Sequence, residues 1–235
     1  MTQHTSNSNG KLTTIFIVLL PLLLFGLFYL YTKQARTDLK TMKYPRKMFA
    51  IGVDTITEGA FKRIDTVYHE IPSFTLTNQY GQTISKDQFR DKILIVDFFF
   101  TSCPTICPTM SEQLARVQEQ LIRDDRVVIV SFSIDPMRDT PEKLKVYAEE
   151  YSAVPGKWQF LTGDKKEIYK LALEGYKMSA FDDGGDEKHD GFVHTDRFAL
   201  VDPNWNIRGY YKGTSENEVN IMLGDVLLLL EEFKR

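Results

Sequence analysis

The two cysteines of this 235-residue chain lie four positions apart, in Cys103-Pro104-Thr105-Ile106-Cys107-Pro108. Two thiols so close can open and close a disulfide, or they can hold a soft metal ion. Cysteines at this separation can bring their Cα atoms within the roughly 4.4 to 6.8 Å that a disulfide needs, so a redox pair is open on geometry. Thiolates are also soft donors that select monovalent copper, and two of them plus an imidazole would satisfy a low-coordinate copper ion. The common redox motif places two residues between its cysteines and this chain places three, which tilts the reading toward metal. No other cysteine is present, so a network of structural bridges is excluded, and a lipid-attachment cysteine near the amino terminus is absent too.

The elements around the pair follow from hydrophobic periodicity. Ile71 to Ile84 alternates apolar and polar residues around a turn at Asn78 to Gly81, the pattern of a short hairpin. Lys92 to Phe100 is a nearly continuous apolar run, as a strand buried on both faces requires, and Arg126 to Ile134 is another. Directly after the first run come the cysteines, then Met110, Leu114, Val117, Leu121 and Ile122 at helical spacing. Two prolines four apart are poorly tolerated inside a helix, so the regular helix is expected to begin near Pro108, with Cys103 on the preceding loop and Cys107 at or near the cap. That location exposes the thiols and favours thiolate.

Thr140-Pro141-Glu142 opens a second helix, Trp158 to Thr162 reads as a strand, and Lys165 to Tyr176 as a third helix. Phe192 to Val201 resumes a strand pattern, a turn at Asp202-Pro203-Asn204 leads to a partner strand over Asn206 to Tyr211, and a last helix runs to Phe233. Strands alternating with helices, then a closing hairpin and helix, predict an α/β fold: a thioredoxin-like mixed sheet flanked by helices over 71–235.

A third metal donor must come from elsewhere in the chain. Of the four histidines, His4 and His69 lie outside the expected domain, which leaves His189 and His194. His194 is favoured because the strand that follows it would enter the sheet, and the loop before that strand in thioredoxin-like folds packs against the cysteine motif. Taken by itself, His194 also reads as an ordinary hydrogen-bonded histidine near a strand end. His189 sits in the acidic stretch Asp182 to Asp190, which lacks the spacing of a calcium loop and reads as solvated. Asp135 and Arg138 follow a buried strand at the same sheet edge, where an ion pair, a turn and a helix cap account for them.

Leu12 to Thr32 carries no charge and is bracketed by Lys11 and Lys33. At 1.5 Å per residue it spans roughly 30 Å, the thickness of a bilayer core, so one amino-terminal transmembrane helix is expected, with Pro21 tolerated in it. A cleaved signal peptide would have a shorter apolar core and a small-residue cleavage site. The layout is then a tail at 1–11, an anchor at 12–32, a polar tether and lead-in without sustained period at 33–70, and the domain at 71–235. Charge counting alone would keep the carboxyl side cytoplasmic, since Lys33, Arg36, Lys40, Lys43, Arg46 and Lys47 follow the anchor. That rule weakens for long translocated domains, and the thiol chemistry places the domain on the extracytoplasmic, periplasmic side of the inner membrane. Net charge is -3 and no basic stripe is present, which argues against nucleic acid as a partner.

Three motifs in order, Phe98-Phe-Phe-Thr-Ser-Cys-Pro-Thr-Ile-Cys-Pro108, Ser133-Ile-Asp-Pro-Met-Arg-Asp-Thr-Pro141 and His194 before a strand ending Asp202-Pro203, resemble the Sco/SenC proteins, copper chaperones of cytochrome c oxidase assembly. The resemblance runs from about Ile71 to the carboxyl end, and a single membrane anchor is similar to that family too. It implies that Cys103, Cys107 and His194 bind copper, and that the reduced pair hands it to the binuclear copper site of oxidase subunit II. A thiol reductant protein would keep the pair reduced. Many relatives carry an acidic residue where this chain has Thr105 and Val193; less negative charge there lowers thiol pKa values and weakens attraction to cations. Two other readings stand beside the chaperone: a thiol-disulfide oxidoreductase that needs only the cysteines, and a binding module on a thioredoxin scaffold.

Overall fold

The computed structural model describes residues 20, 22–30, 45–58, 61–178 and 195–234. Leu20 and residues 22–30 are helical. Most of the expected anchor, Pro21 included, lies outside the described residues, and no helix among the described residues is long and apolar enough to cross a membrane.

The domain is built on a seven-stranded mixed sheet. Its strands are β3 (Thr75–Asn78), β4 (Thr83–Ser85), β5 (Ile93–Phe99), β6 (Val127–Ser133), β7 (Trp158–Thr162), β8 (Arg197–Val201) and β9 (Ile207–Lys212), in the spatial order β4-β3-β7-β6-β5-β8-β9. The central strands β5, β6 and β7 are parallel, and β8 returns antiparallel to β5. Every residue of β5 and β6 is buried, as expected of parallel strands covered on both faces.

Because successive side chains of a strand point to opposite faces, β5 feeds two cores. Ile93, Ile95 and Phe99 pack with Met110, Leu114 and Val117 of α1 (Ile106–Leu121), Leu144 of α2 (Pro141–Glu150) and Val226 of α4 (Glu216–Glu232). Leu94, Val96 and Phe98 face the other way, onto Phe74, Ile168, Leu171 and Tyr176. The thioredoxin-like layer arrangement expected from sequence is therefore present, with helices on both sides of one sheet.

Local signals set the helix starts. The Thr140 hydroxyl accepts from the Lys143 amide ahead of Pro141, Asp164 caps α3 (Lys165–Lys170), and Ser215 caps α4. The expected helix 165–176 divides in two, since α3 passes into a π-helical turn at Leu171–Gly175. The turn at Asn78 to Gly81 forms as expected: Asn78 Oδ1 accepts from the amides of Tyr80 and Gln82, and Gly81 takes the left-handed φ of 72°.

Two expectations change. The 33–70 stretch, expected to lack regular structure, contains an antiparallel hairpin of β1 (Ala50–Glu58) and β2 (Phe61–Tyr68). Among its described side chains, Ile51, Val53 and Ile64 are 66%, 73% and 73% exposed. Its alternation, Ile51 and Val53 with Gly52 and Asp54, is short and interrupted, so pattern reading passed over it. The strand expected over Phe192 to Val201 is β8, which begins only at Arg197; residues 192–194 lie outside the described residues. His69, in the lead-in, has Nε2 2.8 Å from the Gly175 carbonyl and so ties that lead-in to the domain.

Candidate metal centre

Strand β5 ends at Phe99, and a short turn, closed by the Cys103 amide donating to the Phe100 carbonyl at 3.2 Å, delivers Cys103 to the carboxyl edge of the sheet. Helix α1 begins at Ile106, two residues earlier than the prolines suggested, so Cys107 falls in its first turn. Pro108 is accommodated there because the first amides of a helix have no intrahelical partner to lose. Both cysteines are free, but the expected exposure is corrected: both are buried, at 8% and 2% exposed, because the core between β5 and α1 closes over them.

Their environments differ. Burial pushes the Cys103 thiol up, but the backbone amides of Thr105 and Cys107, the Cys107 thiol and the Thr105 hydroxyl all donate toward its sulfur, and together they bring it below the ordinary thiol value. Burial drives the Cys107 thiol far above that value; the Phe100 amide opposes this, while Cys103 and the carboxylate of Asp97 add to it. The two thiols are thus unequal, Cys103 the more acidic and Cys107 the less. The pair is primed at one sulfur and held in reserve at the other.

Beneath the pair, on the sheet face that α1 covers, lies Asp97 of β5, 1% exposed. Its carboxylate accepts from the Ser131 hydroxyl at 2.5 Å, and that oxygen in turn accepts from the Trp158 indole N–H at 2.8 Å. Burial raises the Asp97 carboxyl to about 7, with the Ser131 hydrogen bond opposing. Pattern reading missed this residue, although one acid inside an otherwise apolar strand run was the available signal.

The loop after β6 matches its expected structural role only in part. Asp135 and Arg138 form an ion pair at 3.5 Å, largely exposed on the arginine side. Asp139 is different: fully buried, it accepts from the Thr101 amide at 3.1 Å, the Thr101 hydroxyl at 2.5 Å and the Ser133 hydroxyl at 2.6 Å. With the Ile134 amide donating to the Phe99 carbonyl at 2.9 Å, these bonds lash the loop after β6 to the loop that carries Cys103.

His194 lies outside the described residues, as do His189 and the acidic stretch from Asp182 to Asp190. The neighbouring Thr195 is described and is 3% exposed. The antiparallel register, Val96 opposite Ala199 and Leu94 opposite Val201, brings the start of β8 to the carboxyl end of β5, where the cysteines are. Among the described residues no group of three or more histidines, cysteines and acids forms a metal cluster. What the described site offers is two sulfurs, a donor set that suits a soft monovalent ion rather than a hard cation.

A family model for SCO1/SenC matches residues 63–225. The chain is 33% identical over 164 residues to the SCO1 protein homolog of Bacillus subtilis (strain 168), covering 69% of this chain and 83% of that protein. Among solved structures it is similar to BsSco, described with a disulfide switch and as a member of the Sco family of cytochrome c oxidase assembly proteins. That likeness has 32% identity and a TM-score of 0.58, and covers 68% of this chain and 93% of the other. ScoI of Arabidopsis thaliana, solved with copper bound, is 25% identical with a TM-score of 0.54, covering 69% of this chain and 98% of that one.

Proposed function

Since the chain belongs to the SCO1/SenC family, we propose that it is a membrane-anchored copper chaperone that delivers copper to the binuclear copper site of cytochrome c oxidase subunit II. The observation that carries this reading is the pair of free sulfurs at one sheet edge, the more acidic Cys103 beside the less acidic Cys107. Monovalent copper meets the more acidic Cys103 sulfur first. Both sulfurs bind as thiolates, so uptake of the ion is coupled to proton release. His194 supplies the third donor, completing a low-coordinate site from which a partner's ligands can withdraw the ion. Thr195, buried and next to His194 just ahead of β8, supports that assignment.

The layout 1–11, 12–32, 33–70 and 71–235 goes with this reading, as a tail, an anchor, a tether with its hairpin, and the copper domain. The helical residues Leu20 and Leu22 to Leu30 include leucines, Phe25, Phe28 and Tyr29 with exposures of 52% to 69%, an apolar surface that suits lipid. A single pass through the inner membrane with the domain on the extracytoplasmic side puts the thiols where exported oxidase subunits are metallated. A thiol reductant protein would return the pair to its reduced state between cycles.

The test is a titration of the reduced full-length chain in detergent with Cu(I) against a colorimetric chelator, wild type beside His194→Ala. The expected result is one ion per chain and an affinity reduced at least tenfold by the substitution. An unchanged affinity would remove His194 from the site.

The inequality of the two thiols also suits a second reading, thiol-disulfide exchange, in which Cys103 attacks a substrate disulfide and Cys107 resolves the mixed disulfide. That activity would survive His194→Ala and proceed without copper, as reduction of an oxidised oxidase peptide would reveal.

A further inference from the structure

Asp139 takes no part in binding copper under the reading above, yet it is the most completely enclosed charge near the cysteines. Its two carboxylate oxygens receive three hydrogen bonds, two from Thr101 and one from Ser133. Thr101 is the residue after Phe100, whose amide supports the Cys107 sulfur and whose carbonyl receives the Cys103 amide. The carboxylate therefore fixes the turn from Phe100 to Cys103, which carries the Cys103 side chain and presents the Phe100 amide to the Cys107 sulfur. From the other side it belongs to the loop between β6 and α2 and reaches back to Ser133 at the end of β6.

We infer that Asp139 is a positioning residue for the dithiol: by clamping Thr101 it holds the Phe100 to Cys103 turn, and with it the Cys103 sulfur, in the reduced, metal-ready arrangement beside Cys107. The inference deepens the chaperone reading and shares its assignment of the cysteines. Its chemical consequence follows from which state the turn favours. A turn held in one arrangement keeps the two sulfurs where the free thiols sit, and a pair whose reduced form is stabilised resists oxidation. Loosening the clamp therefore shifts the pair toward disulfide. The balanced exchange is dithiol plus glutathione disulfide giving protein disulfide plus two glutathione thiols, with two electrons and two protons passing to glutathione.

The experiment uses the full-length chain in detergent, comparing wild type, Asp139→Asn, Thr101→Val and the double variant. Asparagine keeps the shape but presents an amide nitrogen where a hydroxyl or backbone N–H must find an acceptor. Two constants are measured: the equilibrium with glutathione redox buffers, and Cu(I) affinity by chelator competition. Asp139→Asn is expected to raise the oxidation constant at least fivefold and to weaken Cu(I) binding at least tenfold. Thr101→Val should move both the same way by at least threefold, and the double variant should do little more than Asp139→Asn, since both act through one contact.

If Asp139 serves stability alone, the melting temperature falls while both constants stay within twofold of wild type, and the inference is overturned. Should Asp139→Asn fail to fold, Thr101→Val decides by its own threshold. Should wild type take up no Cu(I), the chaperone reading fails; the glutathione equilibrium, which involves no metal, still decides the role of Asp139.

Discussion

At the carboxyl edge of the sheet, the buried Asp139 takes its hydrogen bonds from Thr101, on the loop that carries Cys103, and from Ser133 at the end of β6. At the opposite edge, the buried Asp202 takes its bonds from the amides of Asn204 and Asn206 and from Arg208 at 2.9 Å. Arg208, with 3% of its side chain exposed, also reaches Glu232 at the end of α4 and the carbonyl of Pro45 in the lead-in. Both carboxylates are fully enclosed and both are satisfied, so burial by itself does not separate them. The donors do. Asp202 and Arg208 join elements that end there, and so close the fold; Asp139 joins a loop that continues into a reactive group, and so sets where that group lies.

That contrast can be broken from either side. The largest effect is expected for Cys103→Ser, which removes the more acidic sulfur: Cu(I) affinity should fall about 1,000-fold or more, on the order of 4 kcal/mol, with the melting temperature nearly unchanged. Retained copper binding would mean that the carboxyl edge is not the site. Arg208→Ala should do the reverse. It leaves Asp202 buried without its cation and should cost about 3–5 kcal/mol in urea unfolding, because an uncompensated buried charge is expensive. Cu(I) affinity should stay as in wild type, and a parallel loss of copper would show that the two edges are coupled.

Between the edges lies Asp97, whose carboxyl is raised from 3.8 to about 7 by burial. In that window the folded protein holds a proton that the unfolded chain has released, so stability falls as pH rises from about 4 to about 7 and stays low above it. Asp97→Asn is accordingly expected to stabilise the protein above pH 7 by up to about 4 kcal/mol, with the gain gone below about pH 4. Denaturant midpoints at pH 4 and pH 8 check the sign; a loss of stability at pH 8 would show that the Ser131 bond outweighs the desolvation. The smallest effect belongs to Arg138→Ala. Its ion pair with Asp135 is mostly in water, so the change in unfolding free energy should stay below about 1 kcal/mol. A larger one would move the Asp135 loop into the same class as Asp139.

Much of this was legible from residue order. The continuous apolar runs of β5 and β6 announced strands covered on both faces, because such a run has no side left for water. The helical spacing of Met110, Leu114, Val117 and Leu121 announced α1, and the two cysteines between strand and helix announced the edge where chemistry would sit. The hairpin at 50–68 was not legible, since Ile51, Val53 and Ile64 are exposed and the alternation around them is too short to read as a strand.

The sequence by itself determined which groups are available: two thiols, their place after a buried strand, and the run of alternating elements that makes the sheet, all properties of neighbours along the chain. Only the tertiary structure decided that Cys103 and Cys107 are chemically unequal, that Asp97 lies beneath them, and that Asp139 holds their loop from 38 residues away. The reason is physical. Periodicity reports which face of an element is dry, whereas a thiol's proton affinity and a carboxylate's partners depend on the few atoms packed within hydrogen-bond reach, and those come from segments distant in sequence.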